Sequence, residues 1–196
     1  GPEKEGGGEI VLEAPAGIIS EYTIASNTIQ ATLDALGANI FILGKPEDSP
    51  GAVRLITISG NVLGSRDKNI VVKHGSRMSI TGNTIYDGQQ LNCEFRNSHY
   101  IVFGSNSCVS RPASYANDTT DGILLADCVG CALTGSILND CHLGNEDSGG
   151  AITIRDSTNI AVSTCQILNS RFRGIDVANS SRCNISNNSI HEDTAN

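Results

Sequence analysis

The chain has 196 residues, a net charge of -8, 39% hydrophobic and 4% aromatic residues, no tryptophan, 21 glycines and 5 prolines. That length holds one domain with a substantial core, and the composition suits short apolar strands broken by polar turns better than a helical bundle or a disordered chain. The acidic balance argues against nucleic acid as a partner, which needs clustered Lys and Arg, and no run approaches the about 18 apolar residues of a membrane span.

In chain order, residues 1–8 read as a disordered tail. Gly1-Pro2 resembles the scar of a protease cleavage after expression, so a natural leader would have been lost with it, and no signal-peptide apolar region is present. Residues 9–196 then repeat one motif, apolar-x-apolar-x-x-Asn-x-apolar. It occurs as Tyr22, Ile24, Asn27, Ile29; as Ile56, Ile58, Asn61, Leu63; as Met78, Ile80, Asn83, Ile85; and as Ile101, Phe103, Asn106, Cys108. Two degenerate copies follow, Cys131, Leu133, Ser136, Leu138 and Ile160, Val162, Cys165, Ile167, before Cys183, Ile185, Asn188, Ile190 restores the pattern. The second apolar positions are 34, 22, 23, 30, 29 and 23 residues apart, so the spacing varies while the motif does not.

A second strand precedes the last five motifs. Val72, Phe95, Leu125, Ile154 and Val177 each lie eight residues before Ile80, Phe103, Leu133, Val162 and Ile185. Ile10 to Leu12 and Ile40 to Ile42 look like the same strand at other offsets. Strand alternation puts Ile70, Cys93, Ile123, Ile152 and Ile175 inside beside the Val72 row. The fold class expected is therefore all-β, a single-stranded right-handed parallel β-helix of about seven rungs, each about 22 or more residues around; the handedness comes from the parallel crossover rule. Short Gly-, Ser- and Asn-rich connections without helical periodicity exclude βαβ units. An antiparallel sandwich has no reason to fix an Asn three residues past each strand.

Rungs such as Ile80-Thr81-Gly82-Asn83-Thr84-Ile85 and Ile185-Ser186-Asn187-Asn188-Ser189-Ile190 resemble those of the pectate-lyase-like superfamily, and more closely its parallel β-helix repeat proteins. The resemblance implies the fold over residues 9 to 190 and a range of activities: polysaccharide lyases, hydrolases, uronate epimerases, tailspikes and non-catalytic solenoids. The Asn-x-Asp, Asp-Asp, Gly-His-Gly and Arg-x-Lys motifs of galacturonan hydrolases are missing. So are the Asp-Pro-His-Asp signature of alginate epimerases and the Arg-x-Pro-x-x-Arg stretch of pectate lyases, although Arg111-Pro112 is present. No catalytic residue carries over by motif, and whether the chain is an enzyme stays open.

The Asn column reads as a structural ladder. Most of the seven cysteines fall in apolar columns and read as core, in preference to a metal cluster of Cys128, Cys131, Cys141 and His142. The outward rows of the first strand are Val71, Glu94, Leu124, Thr153, Asp176; Lys73, Arg96, Ala126, Arg155, Ala178; and His74, Asn97, Asp127, Asp156, Asn179. Stacking sets Glu94 near Lys73 and Arg96. Candidate catalytic groups are Lys73, His74, Asp127, Arg155, Asp156 and Asp176, as a base, carboxylate clamp or acid. Glu94, Arg96, Arg171 and Arg173 are the candidate substrate-binding groups. The same charges also read as a solvated face that pairs along the stack.

Two long inserts, Val109 to Thr120 and Asn139 to Gly149, follow adjacent rungs and project side by side. No metal or cofactor is expected, although calcium held by Asp118, Asp121 and Asp147 is conceivable. The leading functional expectation is a secreted or cell-envelope domain that interacts with polysaccharide, acidic in the favoured case, as part of a lyase, hydrolase or epimerase. The alternatives are an adhesion or structural solenoid and a protein-binding platform. No capping helix follows Ile190, so either flanking sequence or oligomer contacts are expected to cover the open edges.

Overall fold

The structure, a computed structural model, describes residues 7–31, 36–46, 51–110 and 120–192. Seven rungs stack into a coil with three faces. The first face holds Gly8–Glu13, Ala38–Leu43, residues 68–73, residues 91–96, Ile123–Ala126, Ile152–Arg155 and Ile175–Ala178. The second holds Thr23–Ala25, Thr57–Ser59, Gly75–Thr81, His99–Gly104, Ala132–Thr134, Ala161–Ser163 and Asn184–Ser186. The third runs from Thr28–Gln30 through residues 62–64 and 84–86 to Ser107–Val109, Ile137–Asn139, Gln166–Leu168 and Ser189–His191. Every pairing between described strands is parallel.

Register follows the sequence columns. Leu12, Ile42, Val72, Phe95, Leu125, Ile154 and Val177 are successive partners, and so are Ile24, Ile58, Ile80, Phe103, Leu133, Val162 and Ile185. The first two rungs, irregular in spacing, are regular in register. Apart from the exposed Ile185, these columns form one continuous core. Phe95 and Phe103 meet edge to face across it at 6.0 Å, a geometry that adds about 0.5–1.5 kcal/mol to burial. Tyr22 departs from its motif: on the first rung it is exposed. All seven cysteines are free thiols, six buried and Cys183 partly so.

The corners between faces are held by side chains. From the second to the third face, Asn27, Asn61, Asn83 and Asn106 form the expected ladder. Asn27, Asn61 and Asn83 each donate Nδ2 to the Oδ1 one rung on, at 2.9 Å, and their backbone N–H groups donate to the same oxygen, while Asn106 Nδ2 donates to Ile80 O at 2.9 Å. Ser136 and Cys165 interrupt the amides, and Asn188 resumes by accepting from Cys165 N. From the third to the first face runs a shorter ladder that the motif does not reveal: Asn39 Nδ2 to Asn69 Oδ1 at 2.7 Å, and Asn69 Nδ2 to Asn92 Oδ1 at 3.1 Å. From the first to the second face, Ser98, Ser157 and Ser180 accept from the rung below and donate to the carbonyl two residues back. Cys128 fills the same column, its thiol 3.3 Å from Ala126 O.

Asn83 sits mid-ladder and Asn27 at its start. Asn83→Ala strands the N–H of Asn61 and the carbonyl of Ile58, and should cost about 2–3 kcal/mol. Asn27→Ala should cost less than half as much. Urea denaturation midpoints of the two variants measure the ratio; equal costs would contradict the ladder.

Candidate functional site

The first face carries most of the candidate residues, and its outward rows stack as the sequence predicts. Val71, Glu94, Leu124, Thr153 and Asp176 are register partners, as are Lys73, Arg96, Ala126, Arg155 and Ala178. The lower part, on the third and fourth rungs, is cationic. Glu94, 2% exposed, accepts from Lys68 Nζ at 2.7 Å and from Arg96 Nε. Burial pushes the Glu94 carboxyl up, but the hydrogen bonds and charges of Lys68 and Arg96 outweigh it and hold it below its usual range. Its expected neighbour was Lys73; Lys68 takes that place. Asn69 and Ile70 are both fully buried, so strict alternation fails at this corner and Lys68 turns toward Glu94. Lys73 stands in register beside Arg96.

The upper part is built differently. Arg155 pairs with Asp176, whose Oδ2 also accepts from Gly149 N. Burial raises the Asp176 carboxyl, while the Arg155 bond and the Gly149 N–H lower it further. Arg173 donates to the carbonyls of Asn145 at 3.0 Å, Glu146 at 2.6 Å and Gly149 at 3.4 Å. Asp176 and Arg173 thus fasten the second insert as a wall along this face. Arg171 lies 5.3 Å from the centre of the Phe172 ring.

His74, Asp127 and Asp156 share one column with Asn97 and Asn179, and every member has a positive φ of 47° to 56°. This is the left-handed bend that ends the first face, a position where Asn, Asp and His are enriched for backbone reasons. Residue type there reports the turn before it reports chemistry. Asp127 and Asp156 are exposed on consecutive rungs; His74 lies two rungs below Asp127.

Asp121, named above only as a calcium ligand, stands in an unusual environment. It is 0% exposed, against the start of the second insert. Its Oδ1 accepts from His142 N at 3.2 Å and its carbonyl accepts from Leu143 N at 2.9 Å. Oδ2 and His142 Nδ1 are buried without a hydrogen-bond partner among the described residues. A Cβ on the neighbouring Gly122 would come within 2.7 Å of Leu143 Cβ and 2.8 Å of Ala151 O, so glycine permits this close crossing. Burial raises Asp121 to about 7; the His142 N–H opposes that, and Asp87 and Asp140 reinforce it. Burial also pushes His142 down. Asp118 and residues 111–119 lie outside the described residues, and among the described ones no group of three His, Cys, Asp or Glu is arranged to hold a metal.

A carboxyl raised by folding favours the native state most below its unfolded pKa, and that contribution is lost as pH climbs through the folded value. Asp121 should therefore make the thermal midpoint fall between pH about 4, the ordinary aspartate value, and pH about 7. Asp121→Asn, which retains the acceptor for His142, should flatten that slope in a melting series over the same window. An unchanged slope would show that Asp121 does not titrate there.

A family model described as right handed beta helix region matches residues 17–190. Among solved structures, alginate lyase from Paenibacillus sp. str. FPU-7 is similar with a TM-score of 0.55 and 14% identity, covering 95% of this chain and 70% of that one. Endo-xylogalacturonan hydrolase from Aspergillus tubingensis gives a TM-score of 0.33 and 12% identity, covering 94% and 72%. No curated protein matches by sequence. At such identities the structural likeness concerns the fold alone, the right-handed parallel coil expected from the rungs. With the family match spanning most of its length, the chain belongs to the right-handed β-helix family.

Proposed function

We propose that the chain binds an acidic polysaccharide along its first face, centred on the third and fourth rungs. The observation that carries this reading is the pairing of Lys68 and Arg96 with the buried Glu94, with Lys73 in register beside Arg96, a cluster of basic residues on a chain of net charge -8. Glu94 fixes the Lys68 ammonium and the Arg96 guanidinium in place, so less side-chain freedom is lost when a uronate carboxylate approaches. The flat parallel sheet supplies a repeat of about 4.8 Å per rung along which an extended glycan can lie. A polysaccharide lyase on the same fold, the Paenibacillus alginate lyase, supports the substrate class. A secreted or envelope location follows from that partner.

A second reading, a non-catalytic adhesion or spacer solenoid, is favoured by one observation. Glu94 and Asp176, carboxylates of one row on the fourth and seventh rungs, are each locked by a cation. Neither is a protonated acid ready to give up its proton. Binding and cleavage therefore call for separate measurement.

Calorimetric titration with alginate and polygalacturonate oligomers, beside neutral glucan and xylan, tests the binding. Acidic chains should bind, more weakly as salt is raised, and Lys73→Glu with Arg96→Glu should reduce affinity by roughly tenfold or more. Equal binding of neutral chains, or no binding of any, would sink the proposal. Release of unsaturated or reducing ends in the same mixtures separates a lyase or hydrolase from the adhesion reading.

A further inference from the structure

We propose that Cys128 and Cys131 are a disulfide-forming site across the first corner of the fifth rung, closed by a small peroxide and reopened by a dithiol.

Two columns three residues apart meet at this corner. Ser98, Cys128, Ser157 and Ser180 hold the turn, and Ile101, Cys131, Ile160 and Cys183 lead into the second face. The pairs along these columns read Ser with Ile, Cys with Cys, Ser with Ile, and Ser with Cys, so thiols fill both positions on the fifth rung alone. Left-handed bends at Asp127 and Gly130, with φ of 54° and 67°, fold the chain sharply between them. Cys128 Sγ lies 3.4 Å from Phe95 O and Cys131 Sγ 3.9 Å from Ser98 O, so both sulfurs sit over the same turn of the rung below. The Cys128 thiol also donates to the Cys131 sulfur. With the sulfurs already in contact, closing the bond asks for side-chain rotation and leaves the strand ladders in place.

The surroundings choose the reactive thiol and the oxidant. The Cys128 hydrogen bond holds Cys131 below the usual thiol range against the effect of burial, with backbone groups of Ile101, Tyr100 and Val129 acting the same way. Burial pushes Cys93, Cys108 and Cys141 up, which keeps them as unreactive thiols. Both Cys128 and Cys131 are buried, and the Tyr100 ring lies over Gly130, where a Cβ would come within 2.8 Å of it. That cover favours an oxidant as small as hydrogen peroxide. The Cys131 thiolate attacks one peroxide oxygen; the O–O bond breaks, hydroxide leaves and takes up the Cys131 proton, and Cys131 becomes a sulfenic acid. The Cys128 sulfur then attacks the Cys131 sulfur, the S–O bond breaks, and the hydroxyl departs with the Cys128 proton as water. Two thiols and one peroxide thus give one disulfide and two waters.

Titrating the full chain with hydrogen peroxide, then alkylating it in denaturant for fragment mass spectrometry, tests this. A Cys128–Cys131 link, lighter by two hydrogens, should form ahead of any other cysteine pairing and should open again in dithiothreitol. The linked form should melt a few degrees higher. Cys128→Ser places in the column the hydroxyl that Ser98, Ser157 and Ser180 already supply, so it should fold, lose the link and gain no stability from peroxide. Cys183→Ser should leave the link unchanged. Both thiols still alkylated after peroxide, a first link through any other cysteine, or a linked form that melts lower would overturn the proposal.

Discussion

A three-sided coil turns three times in every rung, and each turn aims peptide groups into an interior without water. A buried N–H or carbonyl left without a partner costs about 1–3 kcal/mol, a large part of the net stability of a domain. Here each corner has its own answer, built from side chains that repeat at the rung spacing. Asparagine serves two corners because its amide both donates and accepts, linking the rung below to the rung above. Serine serves the third, with a hydroxyl that accepts from the rung below and donates to its own turn. The apolar columns supply the driving force for collapse; the corner columns fix the register.

Once register is fixed, the outer surface has little freedom. Outward residues stack as rigidly as inward ones, so charges meet vertical neighbours whether or not function asks for it. Lys68 with Glu94 and Arg155 with Asp176 each join successive rungs. The bend column shows the same pressure from another side, since His74, Asp127 and Asp156 occupy left-handed positions that Asn97 and Asn179 fill equally well. What stands apart from these structural demands is the cationic patch on the third and fourth rungs and the buried Asp121. Neither is needed to turn a corner or close a ladder.

The legible part of the sequence was the part governed by a fixed offset. Eight residues separate Val72 from Ile80 and Val177 from Ile185 because the first corner is tight, so that column could be read before the fold was seen. The Asn39, Asn69, Asn92 ladder escaped because it lies at the corner where loops vary in length. Its signal was an Asn immediately before each inward residue, Ile40, Ile70 and Cys93. Lys68 escaped because Asn69 and Ile70 break the alternation next to it. The burial of Asp121 depends on the crossing of the second insert, a long-range event between chain segments 21 residues apart that no local pattern encodes.

Disulfide trapping of rung neighbours tests the stacking most directly. Ser79 and Val102 are register partners on the outer surface of the second face, so their Cα atoms should stand about 4.8 Å apart, within disulfide range. Thr81 and Val102 are displaced diagonally, about 7–8 Å apart, beyond it. In a Cys183→Ser background, Ser79→Cys with Val102→Cys should link rapidly under mild oxidation, and Thr81→Cys with Val102→Cys should not. Equal linking of both pairs, or faster linking of the diagonal pair, would contradict the single in-register coil.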